Sequence, residues 1–102
     1  MEAFAVVWTT QARYSFSQSS IVLNAPEQSG VYALHSHETC VYIGESANIR
    51  AQLLQHLAGD NACITVYPHL HFSYELISEA VRAWRQSELI REFRPICNPW
   101  LG

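Results

Sequence analysis

Apolar residues fall in short runs along the chain, and the spacing of the runs changes from strand-like to helix-like and back. Residues 4–8 and 21–23 are β-branched or aromatic islands, separated by the polar stretch 9–20 in which Tyr14 and Phe16 alternate with small polar residues. This pattern predicts an N-terminal strand or hairpin. A turn at residues 26–30 leads into two apolar strands, 31–34 and 40–43, joined by a polar connection of hairpin length at 35–39. Residues 44–47 then break the strand, Ser46 or Asn48 is placed to cap a helix, and Ile49, Leu53 and Leu57 recur at helical spacing before Gly59 and Asp60 stop it. Residues 64–67 and 72–77 read as extended, with Pro68 between them. Ser78 stands as an N-cap, with Glu79 in the first turn, for a helix running to Phe93 that Pro95 ends; residues 99–102 form a tail. The sum is a single α/β (α+β) domain over 1–102, with a core at 26–98 and an N-terminal extension at 1–25 packed on it.

Composition narrows the functional classes. A chain of 102 residues that is 49% hydrophobic can bury one core and has no room for two independent domains. Six arginines, no lysine and nine carboxylates give a formal charge of −3. That balance offers no broad cationic surface and argues against nucleic-acid binding unless a local arginine patch supplies it. No apolar run approaches the roughly 18 residues of a membrane span, and Met1 is followed by Glu2 and not by a basic segment, so the expectation is a soluble, cytoplasmic protein with no membrane contact. Cys40, Cys63 and Cys97 are odd in number and widely spaced, without a Cys-x-x-Cys pair. They read as small buried hydrophobes in a reducing compartment, not as a disulfide or a thiolate metal site.

Gly30-Val31-Tyr32, Tyr42-Ile43-Gly44, Asn48, His56, Glu88-Leu89-Ile90, Pro95 and Asn98 occur in that order, and together they resemble the GIY-YIG nuclease family. The resemblance spans residues 26–98 and implies a small central antiparallel sheet flanked by helices. It also implies a site in which two tyrosines, a helix arginine and a helix glutamate gather around a divalent metal and a scissile phosphodiester. There the glutamate would bind the metal, a tyrosine would help deprotonate water, and the arginine would steady the phosphate. The matching positions are Tyr32, Tyr42, Gln52, His56 and Gln86.

Two of these depart from the family pattern. The arginine expected ten residues after Tyr42 is Gln52, and the glutamate expected nine residues before Pro95 is Gln86. A neutral amide lacks the guanidinium's charge and donor fork, and Gln86 offers a hard cation only a weak amide oxygen. Arg50 and Glu88 each lie two residues away, about 200° around the helix, and do not substitute. On the last helix, Ala83, Gln86, Ile90 and Phe93 share one face, which predicts that Gln86 points inward.

The remaining candidates weigh as follows. His35 and His37, with His69 and His71, would form a transition-metal site if the two pairs met, but no spacing signature joins them and they read as exposed connection residues. Arg50, Arg82, Arg85 and Arg91 are the candidate phosphate contacts, though Glu79, Glu88 and Glu92 are interleaved with the last three. Trp8, Tyr14, Phe16, Trp84 and Trp100 suit a homodimer or protein-partner surface. The expectation is therefore a degenerate GIY-YIG-like domain, without efficient phosphodiesterase activity and requiring no cofactor, that acts as a nucleic-acid or protein interaction module. The alternatives are an active Mg2+- or Mn2+-dependent DNA endonuclease in which Tyr32 and Tyr42 activate water, and a structural protein-interaction subunit.

Overall fold

The structure is a computed structural model that describes residues 12–99. The strand expected at 4–8, Trp8 and Trp100 lie outside those residues. Four strands, β1 (Tyr14–Ser15), β2 (Gly30–Ser36), β3 (Thr39–Ser46) and β4 (Leu70–Leu76), form one antiparallel sheet in the order β1-β4-β2-β3. Helices α1 (Gln18–Asn24), α2 (Ile49–Leu57) and α3 (Ala62–Thr65) bring Ile21, Ile49, Leu53 and Ile64 against one face, where they pack with Tyr32, Leu34, Val41 and Phe72. The other face carries Val31, Ala33 and Ile43 under Leu89 of α4 (Glu79–Phe93). Among the described residues, no helix is long and apolar enough to cross a membrane.

The hairpin joining β2 and β3 forms where the polar connection predicts it. Its register slips by one residue between Leu34, which pairs with Tyr42, and His35, which pairs with Cys40. The extra residue is Val41, and the bulge turns Val41 and Tyr42 toward the same core. Asn48 caps α2, accepting from the Ala51 N–H at 3.0 Å. Ser78 occupies the N-cap position of α4 without a side-chain capping bond.

Three sequence expectations need correction. Residues 21–23 are helical, not extended: Ser17 caps α1, and Ile21 and Ala25, four residues apart, are buried, so tertiary burial overrides a weak β preference. Residues 62–65 form α3, capped by the Asn61 side chain and anchored by Ile64. Cys63 and Cys97 form a disulfide across 34 residues, with Cα atoms 5.7 Å apart. Only Cys40 matches the reading of a free, half-buried thiol. In the unfolded chain, closing a loop of that length removes entropy worth about 4 kcal/mol.

The C-terminal segment covers the outer edge of β3. The Ile96 N–H donates to the Cys40 carbonyl and the Cys97 N–H to that of Val41. The Asn98 side chain accepts from the Ile43 N–H at 2.7 Å and donates to the Ile43 carbonyl at 2.9 Å. Backbone groups that would otherwise be an open sheet edge are thereby paired. Glu75, buried on β4, takes a two-pronged bond from Arg85, which also reaches Glu88. The Glu75 hydrogen bond holds the guanidinium above its usual range.

Two predictions follow from this packing. A Cβ at Gly44 would lie 2.2 Å from the Tyr32 hydroxyl oxygen, and the buried Tyr32 ring has nowhere to retreat. Gly44→Ala should therefore lower unfolding stability by about 1–3 kcal/mol in denaturant titrations. His35, bonded to the Ser73 hydroxyl at 3.0 Å, has its pKa lowered to about 4 by burial, with smaller contributions from Arg13 and His71. The unfolded chain then binds this proton more readily than the folded one, so the contribution of neutral His35 is intact above pH 6.5 and is lost as pH falls toward 4. Between pH 7 and 4, wild type should lose about 1–3 kcal/mol more stability than His35→Gln, measured by urea unfolding at each pH.

Candidate functional site

The antiparallel register places Tyr32 of β2 across from Gly44 of β3. With no side chain at 44, the Tyr32 ring lies over that backbone and its hydroxyl reaches Nε2 of His56, on α2, at 2.7 Å. Tyr42, turned to this face by the bulge, packs its ring 6.2 Å from that of Tyr32 and edge-on to His56 at 5.2 Å. Nδ1 of His56 lies 2.8 Å from the Asp60 carboxylate, just beyond α2. A carboxylate only accepts, so in the neutral imidazole Nδ1 carries the proton and Nε2 accepts from the Tyr32 hydroxyl. The result is a continuous chain from Asp60 through His56 to Tyr32.

Its tyrosine and imidazole are buried within the protein, while Asp60 reaches the surface. Tyr32 is 1% exposed and His56 4%. Burial, then the charges of Tyr42, Asp60 and Glu45, push the Tyr32 phenol far above its ordinary pKa. Burial, Asp60 and Glu45 raise Tyr42 in the same direction. Both phenols therefore stay protonated at neutral pH, and that of Tyr32 donates to His56.

The sequence-predicted residues separate into two groups. Tyr32, Tyr42 and His56 come together as expected. Gln52 is half-buried one turn before His56 on α2. Gln86 is half-buried, and its Nε2 donates to the Ile43 carbonyl at 3.2 Å, beside the Asn98 bond to the same oxygen. The inward face expected on α4 is shifted: Leu89 is its buried centre, whereas Ala83 and Phe93 are exposed.

The four candidate phosphate contacts are mostly engaged within the protein. Arg50 donates to the Ala25 carbonyl and lies 3.7 Å from Glu27. Arg82 pairs with Glu45 and donates to the Ser29 hydroxyl at 2.9 Å. Arg85 is held by Glu75 and Glu88, while Arg91 is exposed in the last turn of α4. Of the aromatics expected at a partner surface, Tyr14 and Phe16 pack against the core and Trp84 is exposed.

Asp60 and Asn98 are the participants that the sequence left without a role. Asp60 reads as a helix stop, and its signal was the four-residue spacing from His56. Asn98 carries the family motif but acts through the backbone of β3, which spacing alone does not show.

The side chains present do not fit the divalent cation that the resemblance implies. Gln86 brings a neutral amide whose N–H is turned to Ile43, Glu45 is paired with Arg82, and Asp60 is paired with His56. Among the described residues, no group of three or more His, Cys, Asp or Glu gathers as a metal site. A hard cation seeks anionic oxygens, and here they are already engaged.

No family model matches the sequence, and no curated protein matches it. Solved structures do. The GIY-YIG N-terminal endonuclease domain of UvrC from Thermotoga maritima, bound to its catalytic divalent cation magnesium, is similar over 80% of this chain and 96% of that one, at 21% identity and a TM-score of 0.66. Two cation-bound point mutants of that domain match over 80% of this chain, one at 20% identity and TM-score 0.66 and the other at 21% and 0.65. The central antiparallel sheet, the flanking helices and this shared chain path agree, and the protein has the GIY-YIG endonuclease fold.

Proposed function

We propose that this chain is a degenerate GIY-YIG-fold module that does not cleave phosphodiesters efficiently and acts by binding a partner. The observation that carries the reading is the engagement of Gln86, whose amide N–H buttresses the Ile43 carbonyl where the resemblance expects a metal-binding carboxylate. A glutamate there would have no proton to give that carbonyl and would set a negative charge against it. Gln52 likewise replaces a cation with a neutral amide. The buried, protonated Tyr32 supports the same conclusion, because a phenol that resists ionisation is a poor general base.

A protein partner is favoured over DNA. Arg50, Arg82 and Arg85, three of the four candidate phosphate contacts, are paired with carboxylates inside the chain, which reduces what they offer phosphates. Trp84 is 61% exposed on α4 and is suited to such a contact.

The decisive assay is cleavage of labelled duplex, flapped and branched DNA with Mg2+ or Mn2+ by wild type, Tyr42→Phe and the double replacement Gln52→Arg/Gln86→Glu. Wild type should stay at the no-enzyme rate, and the double replacement should rise above it. Metal-dependent turnover in wild type that disappears in Tyr42→Phe would overturn the proposal and favour an active endonuclease.

A further inference from the structure

The chain has five histidines, and three of them spend a ring nitrogen on a hydrogen bond. His35 bonds Ser73, His56 bonds Tyr32 and Asp60, and Nδ1 of His71 bonds the His69 carbonyl. The rings of the other two, His37 and His69, make no hydrogen bond with any described residue. These two face each other. Ser36 and Leu70 are the last register pair between β2 and β4, and His37 and His69 are the next residue beyond that pair on each strand. Their ring centres lie 5.3 Å apart at an interplanar angle of 57°, and both residues are exposed.

The backbone holds them there at a cost. His37 has φ 57° and His69 φ 55°, the left-handed region that side chains other than glycine enter rarely. Three non-glycine residues have positive φ among the described residues, and this pair supplies two of them.

We propose that His37 and His69 form a two-imidazole site for a first-row transition-metal dication (Cu2+, Ni2+ or Zn2+), with water completing the coordination. The spacing suits that chemistry. A cation about 2.0–2.1 Å from one nitrogen of each ring, with a near-tetrahedral angle between them, sets the ring centres about 5.2 Å apart. The Arg13 guanidinium donates to the His37 carbonyl at 3.2 Å, and its positive charge works against cations held by electrostatics alone. Imidazole nitrogens select copper, nickel and zinc over magnesium and calcium. The site uses none of the residues of the proposed function above and stands or falls separately from it.

The test is titration of the untagged full chain with Cu2+ and Zn2+, with Mg2+ as control, beside His37→Asn, His69→Asn and the double variant. Asparagine tolerates positive φ, so the turn geometry persists, and circular dichroism verifies each fold. Wild type should bind one equivalent of Cu2+ and of Zn2+ and ignore Mg2+. Either single variant should weaken binding at least tenfold, and the double variant should lose little more, because removing one imidazole already breaks the chelate. In proton NMR, substoichiometric Cu2+ should broaden the ring signals of His37 and His69 before those of His35. Binding that survives in both single variants, the absence of binding in wild type, or broadening centred on another histidine would overturn the assignment.

Discussion

The site depends on the absence of a side chain at position 44. Because Gly44 contributes only backbone, the Tyr32 ring can lie flat across β3 and carry its hydroxyl to His56. Most other features serve that placement. The bulge at Val41 keeps Tyr42 on the same face, the Asn48 cap starts α2 so that His56 falls in its last turn, and Asp60 fixes the imidazole from the far side. A second constraint acts at the sheet edge, where Asn98 satisfies both backbone groups of Ile43, midway between Tyr42 and Gly44. A side-chain amide here does the work of a fifth strand.

Electrostatic pairing is the second feature that runs through the domain. Glu75, Glu45, Asp60 and Glu88 each have a cation or an imidazole as partner, so these charges are paired within the domain. Surface pairs of this kind contribute little to stability, but the largely buried Glu75–Arg85 pair differs, because removing either partner would strand a charge in the core. The two glutamines extend the same trend. Each gives a neutral group where the resemblance implies an ion, and Gln86 donates to the Ile43 carbonyl.

Elements whose periodicity spans several residues were legible in the sequence. The hairpin, α2 and β4 each bury several residues, and α4, which buries Leu89 alone, is marked by its length, by Ser78 and Glu79 at its start and by Pro95 beyond its end. Helices α1 and α3 were not legible, because each is too short to show a period and presents a single buried side chain, Ile21 or Ile64. Their capping residues, Ser17 and Asn61, were the available signal. The aromatic and imidazole half of the site was readable from motif order. Asp60, the Asn98 edge contact and the Cys63–Cys97 bond were hidden because each depends on which distant segments the fold brings together.

The Cys63–Cys97 bond has a topological consequence. It closes a covalent ring from α3 to the edge of β3, and both β4 and α4 lie within it. β4 is the strand that joins β1 to β2, so the ring holds one of the two central strands and, among the described residues, the one helix on the α4 face. A single backbone cut anywhere inside the ring, including at the exposed start of α4, leaves both pieces covalently joined as long as the bond is oxidised. In an oxidising setting the domain would thus tolerate nicking without losing an element, while in a reducing one the same cut would release α4 with the edge-covering tail.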